Sequence, residues 1–198
     1  KEGQLVEKGE VLVELDTVQL RAALREAGIK VAALKSRMAR IEAELFLRPM
    51  VFSSSLREFP EFMENQRSLY DRRQAAFNSE LETLENLASL REQELDLNLP
   101  LLESGDVALS EIIRLRRAIV EIRGEISRTK ANNIRELQED LTNTEEELSA
   151  ALEQEKRAAD LLDAAYLRSP MIGIVKNLRF TTIGGVVRPG DEVLQIVP

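Results

Sequence analysis

The strongest constraint on this chain is a run of apolar residues spaced alternately four and three positions apart. The run consists of Leu20, Leu24, Ala27, Val31, Leu34, Met38, Ile41 and Leu45. This is the heptad pattern of a coiled coil, because it holds one narrow apolar seam on the same side of a helix. Such a helix must pack against other helices, so the chain is predicted to be mainly helical.

The composition supports long helices over a compact globule. Among 198 residues, 31% are charged and only 4% are aromatic, with no Trp. Compact cores usually take much of their buried area from aromatic side chains, whereas coiled coils do not need them. The formal net charge of −8 favours solubility and disfavours nucleic acid or anionic lipid as the main partner.

The chain contains neither Cys nor His. Zinc sites, thiol nucleophiles, Ser-His triads and histidine acid–base chemistry are therefore excluded for these residues. An enzyme would need paired carboxylates in a pocket, and a helical hairpin offers none. We expect no enzymatic activity, no cofactor and no metal site.

Three long helices are predicted, over residues 17–47, 61–98 and 111–166. Asp16 or Thr17 is a suitable N-cap for the first helix, and Pro60 suits the first turn of the second. Residues 48–60 contain two prolines and three consecutive serines, so they are predicted to be a linker.

The second and third helices are predicted to meet at a tip over residues 99–110. Pro100 is expected to interrupt the second helix, and Gly105 supplies turn chemistry together with its neighbours Ser104 and Asp106. Ser110 is expected to cap the third helix at its N-terminus.

The apolar seam continues through the second and third helices. In the second helix the seam is Tyr70, Phe77, Leu81, Leu84, Ala88 and Leu95. In the third helix it is Ile112, Leu115, Ile119, Ile122 and Ile126, then Ile134, Leu137, Leu141, Thr144, Leu148, Ala151, Ala158, Leu162 and Ala165. The eight-residue step from Ile126 to Ile134 is a discontinuity in the heptad. The first two helices together are longer than the third, so we predict that they overlap beside it in a local three-helix stretch, with the linker doubling back.

The two ends of the chain carry a related glycine-spaced pattern. "GQLVEKGEVLVELD", residues 3–16, aligns with "GGVVRPGDEVLQIVP", residues 184–198, and both alternate like strands. The expected turn glycines are Gly3, Gly9, Gly173, Gly184, Gly185 and Gly190. Such a repeat predicts two half-domains that pair into one small β-sandwich, adjacent in space although far apart in sequence.

These two segments resemble the halves of a lipoyl-like domain. The predicted fold class is therefore mostly α with a small β part: a long antiparallel coiled-coil hairpin of three helices inserted between two halves of a lipoyl-like β-sandwich. The predicted domains are residues 1–16, the first half; 17–166, the helical hairpin; and 167–198, the second half. Because no Lys stands where carrier proteins place their modified Lys, a swinging-arm carrier is not expected.

This architecture, together with "RSPMIGIV" and the "GGVVRPG" to "IVP" ending, resembles HlyD-type periplasmic adaptors, the membrane fusion proteins of type I secretion systems. The resemblance implies a role in linking an inner-membrane ABC transporter to a TolC-like outer-membrane channel for one-step protein secretion. It also implies a ring of six copies with the secreted protein passing through it, and a periplasmic location with an inner-membrane anchor. The abrupt start of the chain is consistent with a fragment of such a protein.

The resemblance also suggests which tip residues meet the outer-membrane channel. Efflux adaptors carry an Arg, a Leu and a Ser in fixed spacing at this turn. Ser110 matches the Ser, Leu102 lies eight residues before it instead of seven, and Asn98 stands where the Arg is expected. Leu102, Gly105 and Ser110 are the predicted contact residues, with helix capping as the alternative role of Ser110.

Two other functions are compatible with the same residues. A multidrug efflux adaptor would have a similar hairpin but a different inner-membrane pump. A coiled-coil tethering protein would have terminal strands that are unrelated to each other.

Overall fold

The computed structural model describes residues 1–179, 185, 187–188 and 190–198. Its helices are α1 (Val18–Phe46), α2 (Pro60–Ser104) and α3 (Leu109–Ala164), with a short 3-10 helix over Ser54–Glu58; its described strands are β1 (Leu5–Val6), β2 (Val11–Glu14), β3 (Tyr166–Arg168), β4 (Gly173–Lys176) and β5 (Gln195–Val197). In the described part of the chain, no helix is both long and apolar enough to cross a bilayer.

The chain divides into two compact units. The sheet unit comprises residues 1–28 and 152–198, and the helical unit comprises residues 29–151. The division at residues 16 and 166 predicted above follows the helix ends instead, and it stays a prediction.

In the sheet unit, the two ends of the chain are joined by antiparallel strand pairs. β1 pairs with β4, β4 pairs with β5, and β2 pairs with β3. The Gly3 N–H donates to the Val175 carbonyl at 2.8 Å, and the Gly9 N–H donates to the Ser169 carbonyl at 2.8 Å. The described residues of the two terminal segments therefore belong to one β unit, as the sequence predicted.

Two turns of the sheet unit repeat the same hydrogen bonds. At the first, the Glu7 N–H donates to the Glu10 carboxylate at 2.9 Å and the Glu10 N–H donates to the Glu7 carbonyl at 3.2 Å. At the second, Arg188 and Asp191 make the equivalent bonds at 2.8 and 3.0 Å. Because these positions align in the repeated sequence, the internal repeat is a structural one.

The predicted turn glycines have different outcomes. Gly3, Gly9 and Gly190 have φ values of 82°, 88° and 93°, which L-residues rarely adopt, and all three lie in turns. Gly185 is exposed and outside the strands, and Gly184 lies outside the described residues.

The prediction that Gly173 forms a turn is wrong, because this residue begins β4 and pairs with Val6. Its hydrogen atom is needed for close packing against β5. A Cβ at this position would lie 2.5 Å from Ile196 Cγ2 and 2.6 Å from the Val197 carbonyl oxygen.

The helix starts follow the sequence closely. The Asp16 carboxylate accepts a hydrogen bond from the Val18 N–H at 3.0 Å, at the first residue of α1. Pro60 occupies the first turn of α2, where its missing N–H costs nothing. α3 ends at Ala164, two residues earlier than predicted, because Tyr166 already belongs to β3.

The predicted seams form the interior of the helical unit. On α1, Val31, Leu34 and Ile41 are buried, and Val31 and Leu34 pack with Leu148 and Ala151 of α3. On α2, every predicted seam residue is buried or half-buried. Packing of the apolar seam of α1 against another helix is what the heptad pattern requires.

One seam residue of α3 was assigned wrongly. Ile134 is 47% exposed, whereas its neighbour Asn133 is half-buried. Asn133 lies seven residues after Ile126 and so stays on the same side of the helix, while Ile134 is rotated away by about 100°. Asn133, a polar residue, therefore occupies the seam position between Ile126 and Leu137.

α1 and α2 lie side by side in the helical unit. Arg40 Nε donates to Gln66 Oε1 at 2.8 Å, and Arg73 Nε donates to Glu44 Oε2 at 3.0 Å. Because the contact positions rise together on both helices, α1 and α2 run parallel here. Glu44, Phe77 and Asn133 line one pocket, which brings α3 to the same place. The predicted overlap is therefore confirmed.

The linker between α1 and α2 contains its own short helix. Ser53 caps the 3-10 helix, and Leu56 within it is only 1% exposed. Linker residues including Pro49 and Phe52 line a pocket with Ala39 of α1. The linker thus folds back along α1, which allows α2 to start beside that helix.

Candidate docking site at the turn between the long helices

The turn between α2 and α3 is built by a glycine in the left-handed region. Gly105 has φ 83° and ψ 9°, and its N–H donates to the Leu102 carbonyl at 3.1 Å. The Asp106 N–H donates to the Leu101 carbonyl at 2.9 Å. These bonds satisfy the last carbonyls of α2, which otherwise lack helical partners.

The expectation that Pro100 interrupts the second helix is wrong, because α2 continues through it to Ser104. Proline removes one helical hydrogen bond, but Gly105 ends the helix at low cost only five residues later. Because α2 continues past Pro100, its apolar seam also continues: Ala88, Leu95 and Leu102 are seven residues apart, and each is buried or half-buried.

The predicted capping role of Ser110 is also wrong. α3 begins at Leu109, so Ser110 is an exposed residue of the first helical turn. The Glu111 N–H donates to the Ala108 carbonyl at 3.0 Å. Because Gly105 has already reversed the chain direction, residues 105–108 alone connect the helices, and the tip is shorter than the predicted 99–110.

The three predicted contact residues occupy different environments at this turn. Leu102 is half-buried on the seam, whereas Gly105 and Ser110 are exposed. The Ser104 hydroxyl donates to the Asp106 carboxylate at 2.5 Å and so stiffens the loop between them. The turn can therefore present Gly105 and Ser110 to a partner on a defined backbone, with Leu102 supporting them from inside.

Exposed apolar residues surround the turn, and the sequence analysis did not identify them as functional. Leu97 is 74% exposed, Leu109 60% and Ile113 50%. Leu97 could have been found from a second heptad line on α2, because Leu90 and Leu97 are seven residues apart but off the seam. Large exposed apolar residues grouped in this way are typical of interaction surfaces.

Two ion pairs lie close to the turn, one on each helix. Arg114 is paired with Glu111 one turn before it, and this hydrogen bond raises the pKa of the Arg114 guanidinium above its ordinary value. Arg91 donates to Glu94 at 2.7 Å on α2. Among the described residues, no cluster of carboxylates is arranged to hold a metal ion. The exposed apolar residues around the turn make it suited to protein contact.

Known proteins resemble this chain over its whole length. No family model matches it. It is 24% identical over its whole length to the type I secretion system membrane fusion protein PrsE of Rhizobium meliloti, and 26% identical to the alkaline protease secretion protein AprE of Pseudomonas aeruginosa. The chain spans 56% and 57% of these two relatives.

The fold matches a solved structure as well. The soluble domain of LipC, a membrane fusion protein of a type I secretion system, superposes with a TM-score of 0.74 at 22% identity. The match covers 100% of this chain and 93% of that domain, which confirms the predicted fold class. The chain is thus similar from end to end to type I secretion membrane fusion proteins, as its sequence predicted.

Proposed function

We propose that this chain is the hairpin and small-sheet part of a periplasmic adaptor for type I protein secretion. The observation that carries the proposal is the similarity to PrsE, itself a type I secretion membrane fusion protein, over the whole chain. The proposed role is non-enzymatic: the adaptor links an inner-membrane ABC transporter to a TolC-like outer-membrane channel. The proposed location is the periplasm, held at the inner membrane.

The helical turn is the proposed contact with the outer-membrane channel. A turn capped by Gly105 and braced by the bond between Ser104 and Asp106 supports this assignment, because a docking tip must hold its shape without a partner. Ser110 and Gly105 would contact the channel directly, and Leu102 would support them. The exposed Leu109 and Ile113 add apolar area beside them.

The strand pairing argues against the tethering alternative. A tether with unrelated ends would not need β1 to pair with β4, or β2 with β3, across some 160 residues of sequence. Pairing brings the two ends of the helical insert back to one place, which is the architecture that an adaptor hairpin requires. An efflux adaptor would export small compounds instead of proteins, so a functional assay distinguishes it from a secretion adaptor.

The proposal is tested by deleting the gene and measuring proteins in the culture medium. We expect the exported protein to accumulate inside the cells and to return to the medium when the gene is restored. An unchanged set of exported proteins, combined with new sensitivity to small toxic compounds, would instead establish the efflux adaptor. No change in either property would refute a role in export.

Docking is tested by cysteine crosslinking to the outer-membrane channel. The chain contains no cysteine, so a thiol at Ser110→Cys is the only one in it. Ser89→Cys, exposed on α2 well away from the turn, is the matched control. We expect a crosslinked adaptor–channel species from Ser110→Cys alone. Equal crosslinking at both positions would remove the tip assignment.

A further inference from the structure

Pro100 lies inside α2, four residues before the helix ends at Ser104. It is exposed, so burial does not explain why a proline occupies this position. Proline has no N–H to donate to the carbonyl four residues earlier, and its ring presses against that carbonyl. Alanine at the same place would favour the helix. A residue that disfavours its own helix without being buried is a candidate for a role outside folding.

The hydrogen bonds around Pro100 depart from the regular helical pattern. The Asp96 carbonyl lacks its helical donor, because residue 100 has no N–H. The Asn98 carboxamide donates to the Glu94 carbonyl at 2.7 Å, which adds a side-chain bond to the backbone of α2. This bond reinforces the helix immediately before the point where one backbone bond is missing.

Pro100 faces away from α3. At 100° per residue, it lies about 140–160° around α2 from the seam residues Leu95 and Leu102. Both seam residues are half-buried, whereas Pro100 is exposed. Because the proline ring pushes against the Asp96 carbonyl, the helix opens on that side and bends toward the opposite one. A proline on the outer side of α2 therefore inclines the end of this helix toward α3.

This inclination is important because the connection between the two helices is short. Only residues 105–108 join α2 to α3, which begins at Leu109. The first buried side chains of α3, Ile112 and Leu115, are 2% and 3% exposed and follow this start within two turns. The ends of the two helices must therefore lie close together, and a bend of α2 toward α3 brings them there.

The carbonyl groups that close the turn follow directly after the proline. The Leu101 carbonyl accepts from the N–H groups of Asp106 and Val107, at 2.9 and 3.2 Å. The Leu102 carbonyl accepts from the Gly105 N–H at 3.1 Å. Because both carbonyls belong to the last turn of α2, the direction of that turn determines whether these three bonds can form.

We propose that Pro100 is a positioning residue of the docking turn. It inclines the last turn of α2 toward α3 and so sets the shape in which Gly105 and Ser110 are presented. This role needs no contact between Pro100 and a partner. It rests on the proposed function only in that the turn is where the outer-membrane channel binds. The shape of the turn itself can be measured without the channel.

The shape is tested by amide hydrogen exchange, followed by NMR on the full chain. Pro100→Ala supplies the missing N–H and lets α2 continue straight. We expect the amides of Gly105, Asp106 and Val107 to exchange severalfold faster, because their acceptor carbonyls move away. Gln93→Ala, an exposed change seven positions earlier on the same helix, is the matched control and should leave these rates unchanged. Native exchange rates in Pro100→Ala would overturn the proposal.

The effect on docking is measured with the crosslink from Ser110→Cys. Adding Pro100→Ala to this variant should lower the yield of the adaptor–channel species severalfold, whereas adding Gln93→Ala should not. The urea midpoint of Pro100→Ala, followed by circular dichroism, should be no lower than that of the native chain, because alanine favours the helix. If the midpoint and the yield fall together, Pro100 serves folding and is not a positioning residue.

The positioning role and the docking assignment can fail separately. If Ser110→Cys alone gives no crosslink, the docking assignment fails, and amide exchange still decides whether Pro100 shapes the turn. If the crosslink forms with equal yield in the presence of Pro100→Ala and of Gln93→Ala, the docking assignment stands and the positioning role is refuted.

Discussion

The helical unit has two regions in which α3 is buried to different extents. Where α1 and α2 both flank it, α3 is deeply buried: Leu137 and Thr144 are 1% and 0% exposed. Nearer the turn, α3 buries Ile112 and Leu115 against α2 but leaves Ile113 and Val120 exposed. The three-helix stretch is complete within one chain, whereas the two-helix stretch keeps apolar surface for partners.

The difference also extends to polar residues. In the three-helix stretch, Arg40 and Glu44 are 4% and 6% exposed and bond to each other at 2.6 Å, with Gln66 and Arg73 completing the network. Near the turn, ion pairs such as Arg91–Glu94 are substantially exposed. A buried, fully bonded pair can specify one register of packing, since any shift would leave a charge unpaired.

The largest expected effect comes from removing the buried carboxylate. Glu44→Ala leaves Arg40 buried without its charged partner and should lower the free energy of unfolding by about 3–5 kcal/mol. The control, Glu94→Ala, removes an exposed partner of Arg91 and should cost at most about 0.5 kcal/mol. Urea unfolding followed by circular dichroism measures both. Equal losses would show that the two regions do not differ as described.

The overall architecture could be predicted from the sequence because its signals are periodic. The four–three spacing identified α1 and most of α3, and the excess length of two helices over one required an overlap. The repeated glycine pattern predicted that the chain ends meet. Each of these inferences depends on many residues, so one irregular position does not change it.

Single positions were predicted less well, because their environment depends on residues far away in sequence. Pro100 breaks most helices, but here the seam position of Leu102 and the stop at Gly105 allow α2 to continue. Glycine is common in turns, yet Gly173 lies in β4, where the lack of a side chain lets β5 pack closely against it. At the candidate site, the sequence predicted the turn at Gly105, whereas Ser110 does not have its predicted capping role because α3 already begins at Leu109.

The next largest effect should follow from Leu56, which anchors the linker beside the three-helix stretch. Leu56→Ala is expected to cost about 2–3 kcal/mol, at the lower part of the usual range because a short turn can partly close the cavity. Val51→Ala, in the same linker but 77% exposed, should change the stability by less than about 0.5 kcal/mol. If both variants are equally stable, the linker does not hold α2 beside α1.

A smaller effect is expected at the turn itself. Gly105→Ala must place a Cβ at φ 83°, which costs about 1–2 kcal/mol even though no atom lies within 4 Å of that Cβ. Gly124→Ala is the matched control, because it lies inside α3 and its nearest neighbour is the flexible Arg128 at 3.7 Å. That change should stabilise the helix by up to about 1 kcal/mol. The same sign for both would contradict the left-handed turn.

The smallest effect on folding is expected at the exposed apolar residues of α2 near the turn. Leu97→Gln keeps a helix-forming side chain at a position that is 74% exposed, so unfolding should change by less than about 0.5 kcal/mol. Urea unfolding followed by circular dichroism measures this change. A marked loss of stability would mean that Leu97 belongs to the interior of its own chain. The two-helix stretch would then be as self-contained as the three-helix stretch, and the contrast between them would disappear.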